Sequence, residues 1–514
     1  MAAPAFHSIV YPSAADRPDS ERTRPLEFFL DLNLNQIVDS ITARKGEYDL
    51  RALFFTPLRS VDAVLWRQEI MRELENPHVF AAIKGFEQTM RTMREHLKNA
   101  ETFFYEWEKQ RWFLTAVTTY CEAVTGLSQQ LSAVELTSRG LSTFRDALAR
   151  YAASERFLAL ADGSRGIADD LAAIRYCVLI RGLTVEVRHF AGEPDYSTAV
   201  EATFARFKRR DLRTHAFRFT ERAEMNDVEA KILDGVARLF PEVFSRLRAF
   251  CERNQNFRDG MIVAFDREIQ FYVAVLELVA PLRAAGLSFC LPRVVEGSKD
   301  VESYGGFDLA LATKLLDTDR SVVTNDFRLR GRERIIVVSG PNQGGKTTFA
   351  RTFGQLHYLA SLGCLVPGTR AQLFLFDQLF THFERAEKVE NLRGKLQDDL
   401  VRVRDIFDHA TARSVIVMNE IFTSTTLRDA ILLSKRIAAK IVALDALCVW
   451  VTFVIEVASL GDETVSMVST VAPDDPTTRT YKIVRAPANG LAYAMSIAEK
   501  YRLTYAAIQE RLGA

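Results

Sequence analysis

Eight consecutive residues, Gly340, Pro341, Asn342, Gln343, Gly344, Gly345, Lys346 and Thr347, carry the spacing G-x-x-x-x-G-K-[ST]. These types suit one task, holding a chain of phosphates. Glycines let backbone N–H groups close around phosphate oxygens, and a helix that starts at the loop adds its positive end. Lys346 reaches the β- and γ-phosphates, and the Thr347 hydroxyl offers Mg²⁺ an oxygen ligand. Thr348 continues the turn into the helix. The context agrees, because the apolar run "RIIVV" precedes the loop and a helical pattern follows it. A nucleotide site with ATP and Mg²⁺ as cofactors is the expectation.

A second stretch, "RSVIVMNEIFTSTT" (413–426), lies about 70 residues downstream. Its apolar run reads as a buried strand that stops at Asn419 and Glu420. At that place Glu420 is the candidate that polarises an attacking water, the catalytic partner of Lys346. Asn419 stands where a carboxylate normally supports the metal shell. Asn keeps the shape and one acceptor oxygen but loses the charge. A hydrogen bond to a charged group contributes roughly 1.5–3 kcal/mol, so weaker metal binding and slower turnover are expected, not abolition. The plainer alternative is that Glu420 is a solvated acid at a strand end.

Two kinds of element must position these groups. From about 26 to 310 the chain reads mostly as helices, with apolar and aromatic residues three and four apart in "ETFFYEWEKQRWFLTAVTTYCEAVTGLSQQL" and "VEAKILDGVARLFPEVFSRLRAFCERN". The aromatic group Phe103, Phe104, Tyr105, Trp107, Trp112 and Phe113 reads as helix packing. "LTVEVRHF" interrupts this with a strand-like alternation, and "HAFRF" (215–219) repeats it weakly. Around the second, residues 206–222 hold seven Lys/Arg, including Arg206, Lys208, Arg209, Arg210 and Arg213, against two acids. Such a local excess suits phosphate contact without sequence readout, although charged loops often face only water. From about 320, short apolar runs ("RIIVVSG", "AQLFLFD", "SVIVMNE", "LCVWVTFVI", "TVSMVST", "TYKIV") alternate with helical patterns, the grammar of a largely parallel α/β sheet.

Bulk properties set outer limits. With 514 residues, two or more domains are expected. Sixty-six Lys+Arg balance 66 Asp+Glu, which excludes a strongly basic nucleic-acid binder on average but leaves room for a basic patch. The six cysteines are scattered, with no C-x-x-C, so neither a disulfide framework nor a zinc site is suggested. The N-terminal 25 residues lack the apolar core of a signal peptide, and no apolar run is long enough to span a bilayer. A cytoplasmic protein without membrane contact is expected.

The motifs together resemble the MutS family of DNA mismatch-repair ATPases. "SGPNQGGKTTFARTFGQLHYLASLGCLVPG" is similar to that family's phosphate loop and following helix, and "NEIFTSTTLRDA" to its D-E-I-G-R-G-T-S-T segment. "VVTNDFRL" resembles the segment beside the adenine, which makes Val322 and Val323 candidate base contacts. "FDQLFTHFERAEKVENLRGKLQDDL" is similar to the stretch beginning I-D-x-I-F-T-R. Upstream, "TPLRSVDAVLWRQEIMREL" resembles the start of the family's helical core. The 183–222 insertion falls where the family places a DNA-gripping clamp.

That resemblance implies an organisation of N-terminal extension (1–25), helical core and lever (26–310, with a clamp-like insertion at about 180–225) and ABC-like P-loop α/β ATPase (311–514). The fold class expected is α + α/β. The resemblance also implies a shortened member without a mismatch-reading or nuclease domain. It implies a homodimer whose nucleotide sites close between subunits, acting on DNA in repair or recombination. Three departures bear on mechanism. Asn419 replaces the family Asp, Phe453 stands where a His senses the γ-phosphate, and Gly394 where a Ser reaches the partner subunit's nucleotide. Arg393 and Lys395 flank Gly394 and are the candidates for that trans contact. Two rivals stay open: an ATP switch associated with RNA or the ribosome, and a nucleotide-locked structural dimer that does not turn over.

Overall fold

The computed structural model describes residues 6–18, 22–182, 184–193, 225–318, 320–384, 394–488 and 502–512. The basic stretch 206–222, the weak strand at 215–219 and Arg393 lie outside them. The chain forms two compact units, neither continuous in sequence. One comprises Pro77–Leu136 and Thr143–Asp266. The other comprises Phe6–Asn76, Thr137–Ser142 and Arg267–Ala514.

The first unit is helical, as the three- and four-residue spacing predicts. Two long helices, Pro77–Thr102 and Glu106–Ser132, bury the stripes Val79, Ile83, Phe86, Met90 and Leu114, Val117, Tyr120, Val124. Trp107 meets Phe244 edge-on at 4.9 Å, Trp112 meets Phe103 at 5.9 Å, and Phe113 meets Phe257 at 5.6 Å. Most of the aromatic group is thus packing, but Phe104 is 83% exposed. The expected β interruption is an antiparallel hairpin, Tyr176–Arg181 with Thr184–His189, of which the alternation in "VEVRH" flagged only the second strand. Asn226 then restarts the helical pattern with a reciprocal cap, its side chain on the Glu229 N–H and the Glu229 carboxylate on its own N–H.

The second unit is built on a six-stranded sheet. In spatial order its strands are Leu379–His382, Val415–Asn419, Leu447–Val451, Ile335–Ser339, Thr464–Ala472 and Asp475–Arg485. The first five run parallel and the last is antiparallel. Ile335–Ser339, Val415–Asn419 and Leu447–Val451 are buried at every position, which explains why they read as unbroken apolar runs rather than alternations. The run "AQLFLFD" does not join them. Arg370–Phe374 belongs to a separate four-stranded sheet with Arg293–Val295, Val301–Gly306 and Asn325–Leu329. The short edge strand Leu379–His382 takes the place beside Val415–Asn419 instead.

Helix Lys346–Ser361 leaves the loop strand and is buried along most of its length. Its Gln355 donates to the Leu32 carbonyl and to Asp308 (2.9 and 2.8 Å) and accepts from the Leu309 N–H (2.9 Å). Phe28, Phe29 and Tyr358 form an edge-packed aromatic group beside it. The N-terminal segment is integral to this unit too. Ile9 and Val10 are fully buried, and the Ile9 carbonyl accepts from Trp66 Nε1 and the Tyr272 hydroxyl. No helix among the described residues is long and apolar enough to cross a membrane.

Candidate nucleotide-binding site

The central strand Ile335–Ser339 ends in the loop, and Val415–Asn419, one strand removed in the sheet, ends beside it. A parallel sheet with one intervening strand therefore brings two motifs 70 residues apart to one edge, the edge where ligands bind in such folds. The Thr347 hydroxyl donates to Asn419 Oδ1 at 2.9 Å. Glu420 Oε1 lies 3.8 Å from Lys346 Nζ.

The loop holds its own lysine in a cradle. Lys346 Nζ donates to the carbonyls of Gly340 and Pro341 (both 3.0 Å) and to Asn342 Oδ1 (3.3 Å). Its pKa is lowered, chiefly by burial; Glu420 opposes the shift and Arg479 adds to it. A buried ammonium coordinated only by neutral oxygens, with one carboxylate at the edge of contact, is ready to exchange those oxygens for anionic ones.

The glycines are required by close approach. Gly340 sits at φ +121°, and a Cβ there would come within 2.9 Å of the Ser469 carbonyl oxygen. At Gly344 a Cβ would overlap Ser469 Oγ, which donates to the Gly344 carbonyl at 2.7 Å. The third strand in this packing, Thr464–Ala472, thus clamps the loop from the side opposite Asn419. Gln343, at φ +60°, and Glu420, at φ +52°, both take the left-handed conformation that disfavours ordinary side chains. The Glu420 N–H is fixed by the Val451 carbonyl at 2.9 Å. Backbone strain at both ends of the contact is held by the surrounding sheet.

A cleft of about 560 Å³ opens over the loop. Asn342 to Thr348, Glu420, Val322 and Val323 all line it, so the two motifs and the expected base-contact segment share one cavity. Gly340 and Pro341 lie behind it and act through their carbonyls on Lys346. Three further groups were not expected from the sequence. Tyr481 lines the cleft from the last strand, Asn325 donates to the Tyr481 carbonyl at 3.1 Å and accepts from the Ile483 N–H at 2.8 Å, and Arg479 Nε reaches the Asn342 carbonyl at 3.2 Å. Tyr481 had as sequence signal only the short apolar run "TYKIV", which Arg479 immediately precedes, while Asn325 lies in "VVTNDFRL", where the resemblance singled out only Val322 and Val323.

The remaining candidates are placed as follows. Gly394 caps helix Lys395–His409, and Lys395 pairs with Glu384. Asp399 of that helix accepts from the Phe422 N–H at 3.2 Å, tying the helix to the turn that follows Glu420. Phe453 is 49% exposed at the end of the strand between the two motif strands. For a metal, the site offers two neutral oxygens, Thr347 Oγ1 and Asn419 Oδ1. No group of three or more His, Cys, Asp or Glu suited to a metal is found among the described residues. That donor set fits Mg²⁺ only as a partner of nucleotide phosphates, the usual way this ion is held.

Comparison with known proteins agrees with this geometry. Residues 336–510 match the family model for MutS domain V. The DNA mismatch repair protein MutS of Chlamydia pneumoniae is 27% identical over 256 residues, 48% of this chain and 30% of that protein. That of Thermotoga neapolitana is 24% identical over 254 residues, 49% of this chain and 30% of that protein. That of Shouchella clausii is 25% identical over 240 residues, 45% of this chain and 26% of that protein. The matched part thus spans less than a third of the length of these curated relatives. Over about half of its length the chain is thus similar to DNA mismatch repair MutS proteins, and the family model falls on the part that holds the Gly340–Thr348 loop.

Proposed function

We propose that this chain binds ATP with Mg²⁺ at the Gly340–Thr348 loop and hydrolyses it slowly while engaged with DNA. The observation that carries the reading is the single cleft lined by Lys346, Thr347 and Glu420, with Asn419 held behind it by its bond from the Thr347 hydroxyl. In this reading the loop N–H groups and Lys346 hold the phosphates, and Val322, Val323 and Tyr481 flank the base. Thr347 and Asn419 orient the metal's water shell, and Glu420 takes a proton from the attacking water. Mg²⁺, when bound, would neutralise charge on the transferring phosphate. With a neutral amide at 419, the protein contributes less to that neutralisation, so turnover is slow.

DNA as the partner, a role in repair or recombination, and a homodimer that completes the site are proposals from the relationship to MutS. So are the division into core, clamp and ATPase, a preference for branched over mismatched DNA, and a cytoplasmic location. The stretch 206–222 remains the candidate clamp contact. The neutral Thr347–Asn419 pair also favours a second reading, a nucleotide latch without turnover. The test is steady-state ATP hydrolysis by the purified chain, with Lys346→Ala as control, alone and with homoduplex or branched DNA. Turnover that rises on branched DNA and vanishes in the control is expected. ATP binding without turnover would select the latch, and absence of ATP binding would sink both readings.

A further inference from the structure

Away from the nucleotide cleft, the same unit holds a second pocket of about 580 Å³, lined by Arg17, Arg22, Arg59, Thr56, Ser60 and Asp16, among others. Among the described residues three arginines therefore face one carboxylate, and that carboxylate already accepts from Ser13 Oγ at 2.6 Å. The nearby acids are engaged elsewhere. Asp377 takes the hydroxyls of Thr411 and Ser414 and the Gln378 N–H, while Arg59 reaches only the Asp377 backbone carbonyl. Glu268 takes the Ser8 hydroxyl and the Ile9 N–H and gives Arg17 a charge attraction without an ion pair among the described residues.

No ion pair to Arg17 or Arg22 is found among the described residues. This is not the habit of the unit's other surface arginines: Arg51 pairs with Asp39, Arg283 with Glu75, and Arg139 with both Asp62 and Glu69. Arg59 is also poorly placed as a cation. Burial disfavours its charge most, Arg22 and then Arg413 add repulsion, and Asp377 gives partial relief. Arginine cannot respond by losing its proton near neutral pH. Among the described residues the cavity gathers three guanidinium groups against the single lining carboxylate of Asp16, and an anion from outside would relieve that excess. Helix Val61–Glu73, capped by Ser60, begins at its wall and adds to the positive potential.

We propose that this pocket binds a phosphate group, held by Arg17, Arg22 and Arg59. The planar guanidinium fork matches phosphate oxygens in pairs, which a lysine cluster would not do. The pocket is as large as the nucleotide cleft, so it admits an oligophosphate as well as one phosphate of a nucleic-acid backbone. This assignment is independent of any turnover at Lys346.

The test is an equilibrium titration of the full chain carrying Lys346→Ala, so that the nucleotide loop does not contribute, with inorganic pyrophosphate as one probe and a short DNA duplex as the other. The comparison chain adds Arg22→Gln and Arg59→Gln. Arg22→Gln alone guards against misfolding, since that side chain is exposed and makes no ion pair among the described residues. Loss of one charge-assisted hydrogen bond weakens binding roughly tenfold or more, so at least that change is expected in the comparison chain and a smaller one in the single variant. A change for pyrophosphate identifies a free oligophosphate as the ligand, and a change for the duplex alone identifies a backbone phosphate. Equal binding by all three chains for both probes, or none, overturns the proposal.

Discussion

Replacing Asn419 by Asp restores the missing charge with almost no change of shape. Asn419 is 8% exposed, and its Oδ1 already accepts from the Thr347 hydroxyl at 2.9 Å. The nearest charges, Lys346 and Glu420, stand 3.8 Å apart, and Arg479 adds positive potential at Lys346. A carboxylate at 419 adds a negative charge at a buried position. Two opposite effects follow. Without nucleotide the variant should melt lower, because a buried carboxylate gains only one hydroxyl donor. With ATP and Mg²⁺ it should melt higher, because a charge-assisted contact exceeds a neutral one by about 1 kcal/mol, or roughly fivefold in half-saturating Mg²⁺. Hydrolysis measured against Mg²⁺ concentration, with melting curves in both states, reads both effects. Unchanged Mg²⁺ dependence together with a melting shift of the same sign in both states would refute the assignment of Asn419 to the metal shell.

Lys346→Ala should weaken ATP binding at least tenfold by fluorescent-nucleotide titration, since Nζ is the loop's one buried cation and each charge-assisted bond contributes about 1.5–3 kcal/mol. Gly344→Ala should abolish binding and lower the melting temperature, because its Cβ would overlap Ser469 Oγ and lie 3.0 Å from the Pro341 carbonyl oxygen. Gly394→Ala should leave ATP binding unchanged and lower the melting temperature only slightly, since among the described residues nothing lies within 4 Å of a Cβ there and alanine is merely the poorer helix cap. The pH dependence of stability should carry the mark of His357. Burial lowers its pKa from 6.5 to about 4, with the Phe353 carbonyl opposing the shift. Below about pH 6.5 the unfolded chain takes a proton that the folded chain refuses, so stability should fall toward about pH 4 and level off beneath it. His357→Gln should flatten that part of the profile in chemical denaturation.

The phosphate loop was legible because its chemistry is local. Turn, cradle and helix start follow one another within nine residues, and each residue type has one conformational or electrostatic reason to be there. Strands buried on both faces were legible for a similar reason, since burial on both sides leaves an unbroken apolar run. Edges were not. "AQLFLFD" has the composition of a central strand yet pairs in another sheet, while "LFTH", short and half polar, fills the edge beside the Asn419 strand. Composition reports that a segment is buried, not which neighbour it pairs with.

The sequence by itself determined that a loop with the spacing of a phosphate cradle joins a strand to a helix, that Asn419 lacks a carboxylate's charge, and that long helices precede a mixed sheet. Only the tertiary structure decided what meets at the loop. Strand order puts Asn419 against Thr347, and the last strand turns back antiparallel to bring Tyr481 and Arg479 to the cleft. It also gathered Arg17 and Arg22 with Arg59, some forty residues apart, around one pocket. The physical reason is the same in each case. Side-chain chemistry is a property of the residue, whereas the field a side chain meets is set by backbone pairing and packing between segments whose separation along the chain carries no trace of it.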